Sequence, residues 1–179
     1  MKIKTFTVDG PLPTEIPAIR ELERVLPDEW LGFANVTIRH PAKARQEREV
    51  DLIVVTHDRI IMVDLKHWKG KLELVDGYWH QDGRRRESSP VDKMRRNTIL
   101  LRNVFDAESF KLGTPRVEGV VVLSHPDCDT SGLRADAKAV LRLGEFFRSV
   151  TPKITSGFLE PDHFTTAIRS SKVKTTGPS

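Results

Sequence analysis

The chain has 179 residues, 38% hydrophobic and 30% charged, with a formal net charge of +4. That is enough for one domain with a real core and too little for two. The basic balance, with a pI of about 9.3, admits a polyanionic partner without requiring one.

The first element in chain order is a helix that Thr14 caps, with Pro17 in its first turn and Pro27 ending it. Ile19, Leu22 and Leu26 recur at helical spacing, and Glu15, one turn before Ile19, shares their inward face. A strand over 33–39 follows, then the polar loop HPAKARQER, then strands over 49–55 and 59–66 joined at Thr56-His57-Asp58-Arg59. KLELV and YWHQ flank Asp76-Gly77, a strong hairpin signal. The basic loop Gly83-Arg84-Arg85-Arg86 leads into a helix from Pro90 to Val104, with Met94, Ile99, Leu100 and Leu101 as its apolar surface. VEGVVVLS, 117–124, reads as a buried strand and 135–150 as a last helix. The stretch 151–179, rich in Thr, Ser, Lys, Gly and Pro towards its end, reads as a tail or linker after a domain over 1–150. Strands cluster first, and a helix then crosses to one more buried strand. That order predicts an α/β sandwich around a mixed central sheet. The single cysteine excludes an internal disulfide and suits a reducing compartment. With no signal-peptide core and no apolar run near the roughly 20 residues that span a bilayer, a soluble cytoplasmic protein is expected.

The two aliphatic strands end in charge: Asp51 opens one, and Asp64 and Lys66 close the next. A two- or four-residue turn centred on His57-Asp58 sets Asp51 opposite Asp64 and Glu49 opposite Lys66. Opposed Cβ atoms are about 4.5–5.5 Å apart, so the carboxylates repel and one has its pKa raised. A divalent cation removes the conflict, and hard oxygen ligands on a rigid sheet suit Mg²⁺ (or Mn²⁺), which keeps waters and accepts phosphate oxygens. Glu15 adds a carboxylate from the helix, with Glu21 as the second choice. Lys66 stands ready to orient or deprotonate a water and to offset charge on a phosphate. The plain alternative is charge marking strand ends at solvent, with Glu49–Lys66 a surface ion pair worth little.

Residues 49–70, E-V-D-L-I-V-V…I-I-M-V-D-L-K-H-W-K-G, resemble the core of the nuclease-related domain (NERD), a branch of the PD-(D/E)XK nuclease superfamily. Glu49, Asp51, Asp64, Lys66 and Gly70 occupy the places of its E-[IV]-D, E-x-K and following Gly. VLPDEW, Pro90 and VEGVVVLS also fit, so the likeness covers roughly 14–150. The resemblance implies a restriction-endonuclease-like αβββαβ core, metal-dependent hydrolysis of phosphodiester bonds, and Glu15, Glu49, Asp51, Asp64 and Lys66 as catalytic. It also implies fusion to kinase or helicase modules, including kinase-like components of phage defence. Asp64 stands where the family has Glu, and Lys93 follows Ser89-Pro90 where it often has Gln. A catalytically weak module that binds DNA or protein is the alternative.

Arg84, Arg85, Arg86, Lys93, Arg95 and Arg96 are the candidates for contact with the DNA backbone; an ordinary solvated loop and helix start is the plain reading. Trp68, Tyr78 and Trp79 read as packing for the hairpin. One Cys and scattered His make no structural zinc site, and no phosphate-cradling glycine motif is present.

Overall fold

In the computed structural model, residues 1–5, 11–40, 43–107 and 115–150 are described, with backbone only for 5 and 43–46. The stretch 151–179, expected as a tail, lies outside the described residues. The elements in order are β1 (Lys2–Thr5), α1 (Ile16–Val25), β2 (Leu31–His40), β3 (Lys43–Val55), β4 (Ile60–Lys66), β5 (Gly70–Val75), β6 (Tyr78–Gln81) and β7 (Arg84–Ser88). They continue with α2 (Pro90–Ala107), β8 (Val117–Leu123), β9 (Cys128–Gly132), β10 (Val140–Arg142) and α3 (Leu143–Ser149). A six-stranded mixed sheet runs β1-β2-β3-β4-β8-β10, and a second, four-stranded sheet runs β7-β6-β5-β9. β2, β3 and β4 pair antiparallel, while β4–β8 and β8–β10 pair parallel. Within this lies the expected αβββαβ core: α1, β2, β3, β4, α2, β8.

The two aliphatic runs sit at the centre of the large sheet because both of its faces are covered, which is what near-continuous apolar strands require. Phe33, Ile53, Val55, Ile60 and Met62 face α2 and the second sheet, meeting Met94, Leu101, Leu72 and Trp79. Leu52, Val54, Ile61, Val63 and Leu65 face the other way, against Ile19 and Leu22 of α1 and Phe146 of α3. α2 begins with Pro90 after Ser89, whose Oγ accepts the Asp92 N–H at 3.3 Å. This is an ordinary serine cap with proline at the first helical position.

Several expectations are corrected. Thr14 does not cap α1; Glu15 is the N-cap residue, without a side-chain cap bond. The polar stretch read as a loop before residue 49 is largely strand, because β3 starts at Lys43 and pairs along β2. The basic loop is the edge strand β7, which turns the expected hairpin into a meander joined by β9. Helix in 135–150 starts only at Leu143, after β10. Ile99 is not core surface: it is 51% exposed.

α2 lies tight on β8. A Cβ built on Gly119 would stand 3.0 Å from both Met94 Cβ and Thr98 Cγ2, and 3.3 Å from the Met94 carbonyl oxygen. Gly119→Val must push helix from sheet, so its unfolding free energy is expected to fall by about 1–3 kcal/mol, read from urea midpoints. An unchanged midpoint would deny the close approach a role in stability.

Candidate active site

Asp64 and Lys66 continue the face of β4 that Ile60 and Met62 turn toward α2, at the point where apolar partners run out. Asp64 is 0% exposed, so its charge must be compensated within the protein. Two ammonium groups do this. Lys93 Nζ, from the first turn of α2, donates to Asp64 Oδ1 at 2.8 Å. Lys66 Nζ lies 2.9 Å from Asp64 Oδ2 and 3.0 Å from Glu87 Oε1 of β7. Lys66 thus bridges two carboxylates, one from β4 and one from β7.

Across the hairpin the ladder pairs Val55 with Ile60 through Leu52 with Val63, the expected register, and stops there. The next position is where β2 and β3 both slip phase. The ladder aligns Ala34 with Leu52 and Val36 with Val50, and Asn35 between them has a φ of 51°. Asn tolerates this left-handed backbone better than most residues. Val50 consequently joins Ile53 on the α2 side although three positions separate them, and Val36 likewise joins Phe33. The slip frees Asp51 from the ladder and turns its side chain toward β4, where Oδ2 accepts the Leu65 N–H at 2.7 Å.

Burial and the neighbouring Asp64 push the Asp51 carboxyl up to about 7, against the pull of the Leu65 N–H. Glu15, at the N-terminus of α1, is raised mainly by burial, and its Oε2 accepts the Leu12 N–H at 3.1 Å. It lies within reach of the charges of Asp64, Lys66 and Lys93. Burial pulls the Lys66 ammonium down, but Asp64 and Glu87 outweigh it and hold it above the usual lysine range. Lys66 is therefore a fixed cation here, not a base waiting to take a proton.

Asp51, Asp64, Lys66 and Glu15 thus share one electrostatic neighbourhood, and Lys93 enters it from the basic segment. Glu49 does not join them. The phase slip turns its side chain to solvent; it pairs with Thr37 of β2, and its carbonyl meets the buried Asn97 Nδ2 at 3.4 Å. Its expected partner Lys66 is taken by Glu87, which sequence reasoning missed. The one signal for Glu87 was an acid inside an arginine run on a segment that could fold back as a strand.

Arg84, Arg85 and Arg86 are exposed along β7, beside Glu87. The Arg85 guanidinium sits 3.4 Å over the Tyr78 ring, and Arg86 sits 5.4 Å over Trp68. Arg84 and Arg86 line an open hollow of about 400 Å³ with Gln81 and Asp82. Arg95 and Arg96 are exposed on α2, with Arg95 paired to Asp92 at 2.7 Å. Trp79 is buried, its Nε1 donating to Asp136 Oδ2 at 2.8 Å. His67 leaves the opposite face of β4 from Lys66 and reaches Ser124 Oγ at 3.0 Å.

Among the described residues no three His, Cys, Asp or Glu side chains are arranged to hold a metal ion. Asp51 and Asp64 nonetheless fit a hard cation that completes its shell with water and phosphate. One is a fully buried carboxylate that needs positive charge beside it, and the other is a carboxyl that burial and its neighbour disfavour as an anion.

A family model described as the nuclease-related domain matches residues 13–124, the stretch that holds every one of these groups. The chain belongs to the NERD family. Over 62 residues it is 40% identical to the probable kinase PglW of Streptomyces coelicolor, a match that covers 33% of this chain and 4% of that protein. Protein VC1899 from Vibrio cholerae resembles it at 13% identity and a TM-score of 0.37, over 87% of this chain and 32% of that one. A protein of unknown function, AF1548, does so at 10% identity and a TM-score of 0.37, over 89% and 79% of the two chains. This NERD domain thus spans a small fraction of PglW and about a third of VC1899. No helix among its described residues is long and apolar enough to cross a membrane.

Proposed function

We propose that this NERD domain is a metal-dependent nuclease that hydrolyses DNA phosphodiester bonds, with Asp51 and Asp64 as ligands of Mg²⁺ or Mn²⁺ and Glu15 assisting. The observation that carries the reading is the fully buried Asp64 carboxylate, next to Asp51 and bracketed by Lys66 and Lys93. A buried, multiply charged cluster at a sheet end is costly to keep for folding alone. A bound divalent ion would supply Lewis-acid polarisation of a phosphoryl oxygen and a more acidic water. The protein's own part is positional and electrostatic. Lys66, fixed between Asp64 and Glu87, presents positive charge where the phosphate becomes more negative. Glu15, with its raised proton affinity, comes to the site from the start of α1 as an acceptor for a proton of the attacking water. Hydrolysis puts the hydroxyl on phosphorus and a proton on the leaving oxygen, so no other reactant is needed.

The basic strand β7 and the start of α2 would carry the DNA backbone. Replacing Arg84, Arg85 and Arg86 together with Ala is expected to weaken DNA binding for all sequences and to flatten the log–log salt slope by about 0.9 per lost contact. An unchanged slope would return β7 to plain solvated surface. Association with a kinase module, supported by the match within a probable kinase, and service in phage defence belong to the same proposal.

One observation favours the second reading, a weak or inactive binding module: both Asp64 oxygens are already met by ammonium groups. Nicking and linearisation of supercoiled plasmid in Mg²⁺ or Mn²⁺, against EDTA, separates the two when DNA binding is measured alongside in Ca²⁺. Cleavage only with metal supports the enzyme. Binding with no cleavage in any metal makes this a recognition domain on a nuclease fold.

A further inference from the structure

We infer that Lys93 is a displaceable internal cation, which holds Asp64 until a divalent ion takes its place and so sets the metal affinity of the site. The inference rests on the proposed reading of Asp51 and Asp64 as metal ligands and gives Lys93, which enters that reading only as a neighbouring charge, a role of its own.

The two lysines on Asp64 are unequally held. Lys66 has 14% of its side chain exposed and is anchored by a second carboxylate, Glu87, at 3.0 Å. Lys93 has 34% exposed, and its one ion pair among the described residues is Asp64. Its position is also unfavourable in itself. Lys93 lies in the first turn of α2, its N–H bonded to the Ser89 carbonyl at 3.1 Å, and the N-terminal end of a helix repels a cation. Asp64 is therefore the direct contact that keeps this ammonium inside, with the charges of Asp51 and Glu15 behind it. A divalent ion on Asp64 would bring two positive charges against both ammonium groups at short range, where repulsion is strong. Lys66 is clamped from the far side by Glu87. Lys93, on a flexible four-carbon stem at the rim, is free to swing to solvent beside the exposed Arg95 and Arg96. Metal entry thus exchanges one cation for another on Asp64, and release of Lys93 adds a positive charge to the surface proposed to meet DNA. By linkage, DNA that engages the released Lys93 tightens metal binding by the same factor.

The test measures Mn²⁺ affinity, by calorimetry and by the loss of free-ion electron paramagnetic resonance signal, for wild type, Lys93→Met and Lys93→Gln, each also in an Asp64→Asn background. Thermal melts in EDTA and in saturating Mn²⁺ accompany it. With no cation to displace, Lys93→Met and Lys93→Gln are expected to bind Mn²⁺ about ten-fold more tightly than wild type, an ordinary size for coupling between competing ligands. The gain should vanish in Asp64→Asn. In EDTA both variants should melt below wild type, since buried Asp64 has lost a partner, and Mn²⁺ should raise their melting temperature more than that of wild type. Lys93→Gln keeps a hydrogen-bond donor for Asp64 and so retains the fold if the Met variant does not. Wild-type binding with equal or weaker binding by the Lys93 variants overturns this inference and leaves the metal reading standing. No Mn²⁺ binding by any of the proteins overturns both.

Discussion

Lys66→Met is expected to lower metal-dependent DNA cleavage by about 10²–10³-fold, the usual cost of removing one preorganised charge from a transition state. The ammonium lies 2.9 Å from Asp64 and 3.0 Å from Glu87, and the raised pKa that these carboxylates produce keeps it charged at any ordinary assay pH. The variant also loses stability. Removing one partner from a buried ion pair costs about 3 kcal/mol when the remaining charge is left uncompensated, and here Lys93 still holds Asp64 at 2.8 Å, so the loss should be smaller. Cleavage is therefore compared per folded molecule, with folding followed by circular dichroism under the assay conditions. DNA binding in Ca²⁺ should be nearly unchanged, because Lys66 is one cation among many and only 14% exposed. Cleavage by Lys66→Met at the wild-type rate would remove the lysine from the chemistry.

Asp51→Asn is expected to stabilise the protein in EDTA at high pH and to leave it unchanged at low pH. Burial and Asp64 place the Asp51 carboxyl at about 7 in the folded chain, against about 3.9 when unfolded. Between these values the folded state holds the extra proton, so stability falls as pH rises through the window and is flat on either side of it. Below about pH 4 the group is protonated in both states and contributes nothing. Asparagine keeps an oxygen for the Leu65 N–H without the charge. At pH 8 the variant should exceed wild type by up to about 4 kcal/mol, which is about three pH units at 1.36 kcal/mol each. Urea midpoints at pH 4, 6 and 8 read the difference. An offset that does not change with pH would mean that neither burial nor Asp64 raises the Asp51 carboxyl.

The sheet end was readable because its signals are local. Two aliphatic runs, a short turn and charges at fixed offsets set the register of β3 on β4, and that register is the one observed. Glu49 shows where local reasoning ends. Two-residue alternation puts it on the face of Asp51, but the slip at Asn35 and Asp51 breaks the alternation at that step and turns Glu49 to solvent. A lone Asn in a strand does not announce a left-handed backbone. Glu87 was hidden for a different reason: its contact with Lys66 requires β5, β6 and β7 to fold back as a sheet over the site. The segment around Val140 carries apolar residues that serve a short strand as well as a helix. The choice was made by β8, whose free edge accepts β10 in parallel.

Calorimetric titration with Mn²⁺ of wild type and Asp51→Asn tests the central claim, that Asp51 and Asp64 make this sheet end a divalent cation site. Wild type should bind one equivalent, and Asp51→Asn should bind at least about ten-fold more weakly, a loss of about 1.4 kcal/mol or more. Equal affinity in the two proteins, or no binding by wild type, would contradict it.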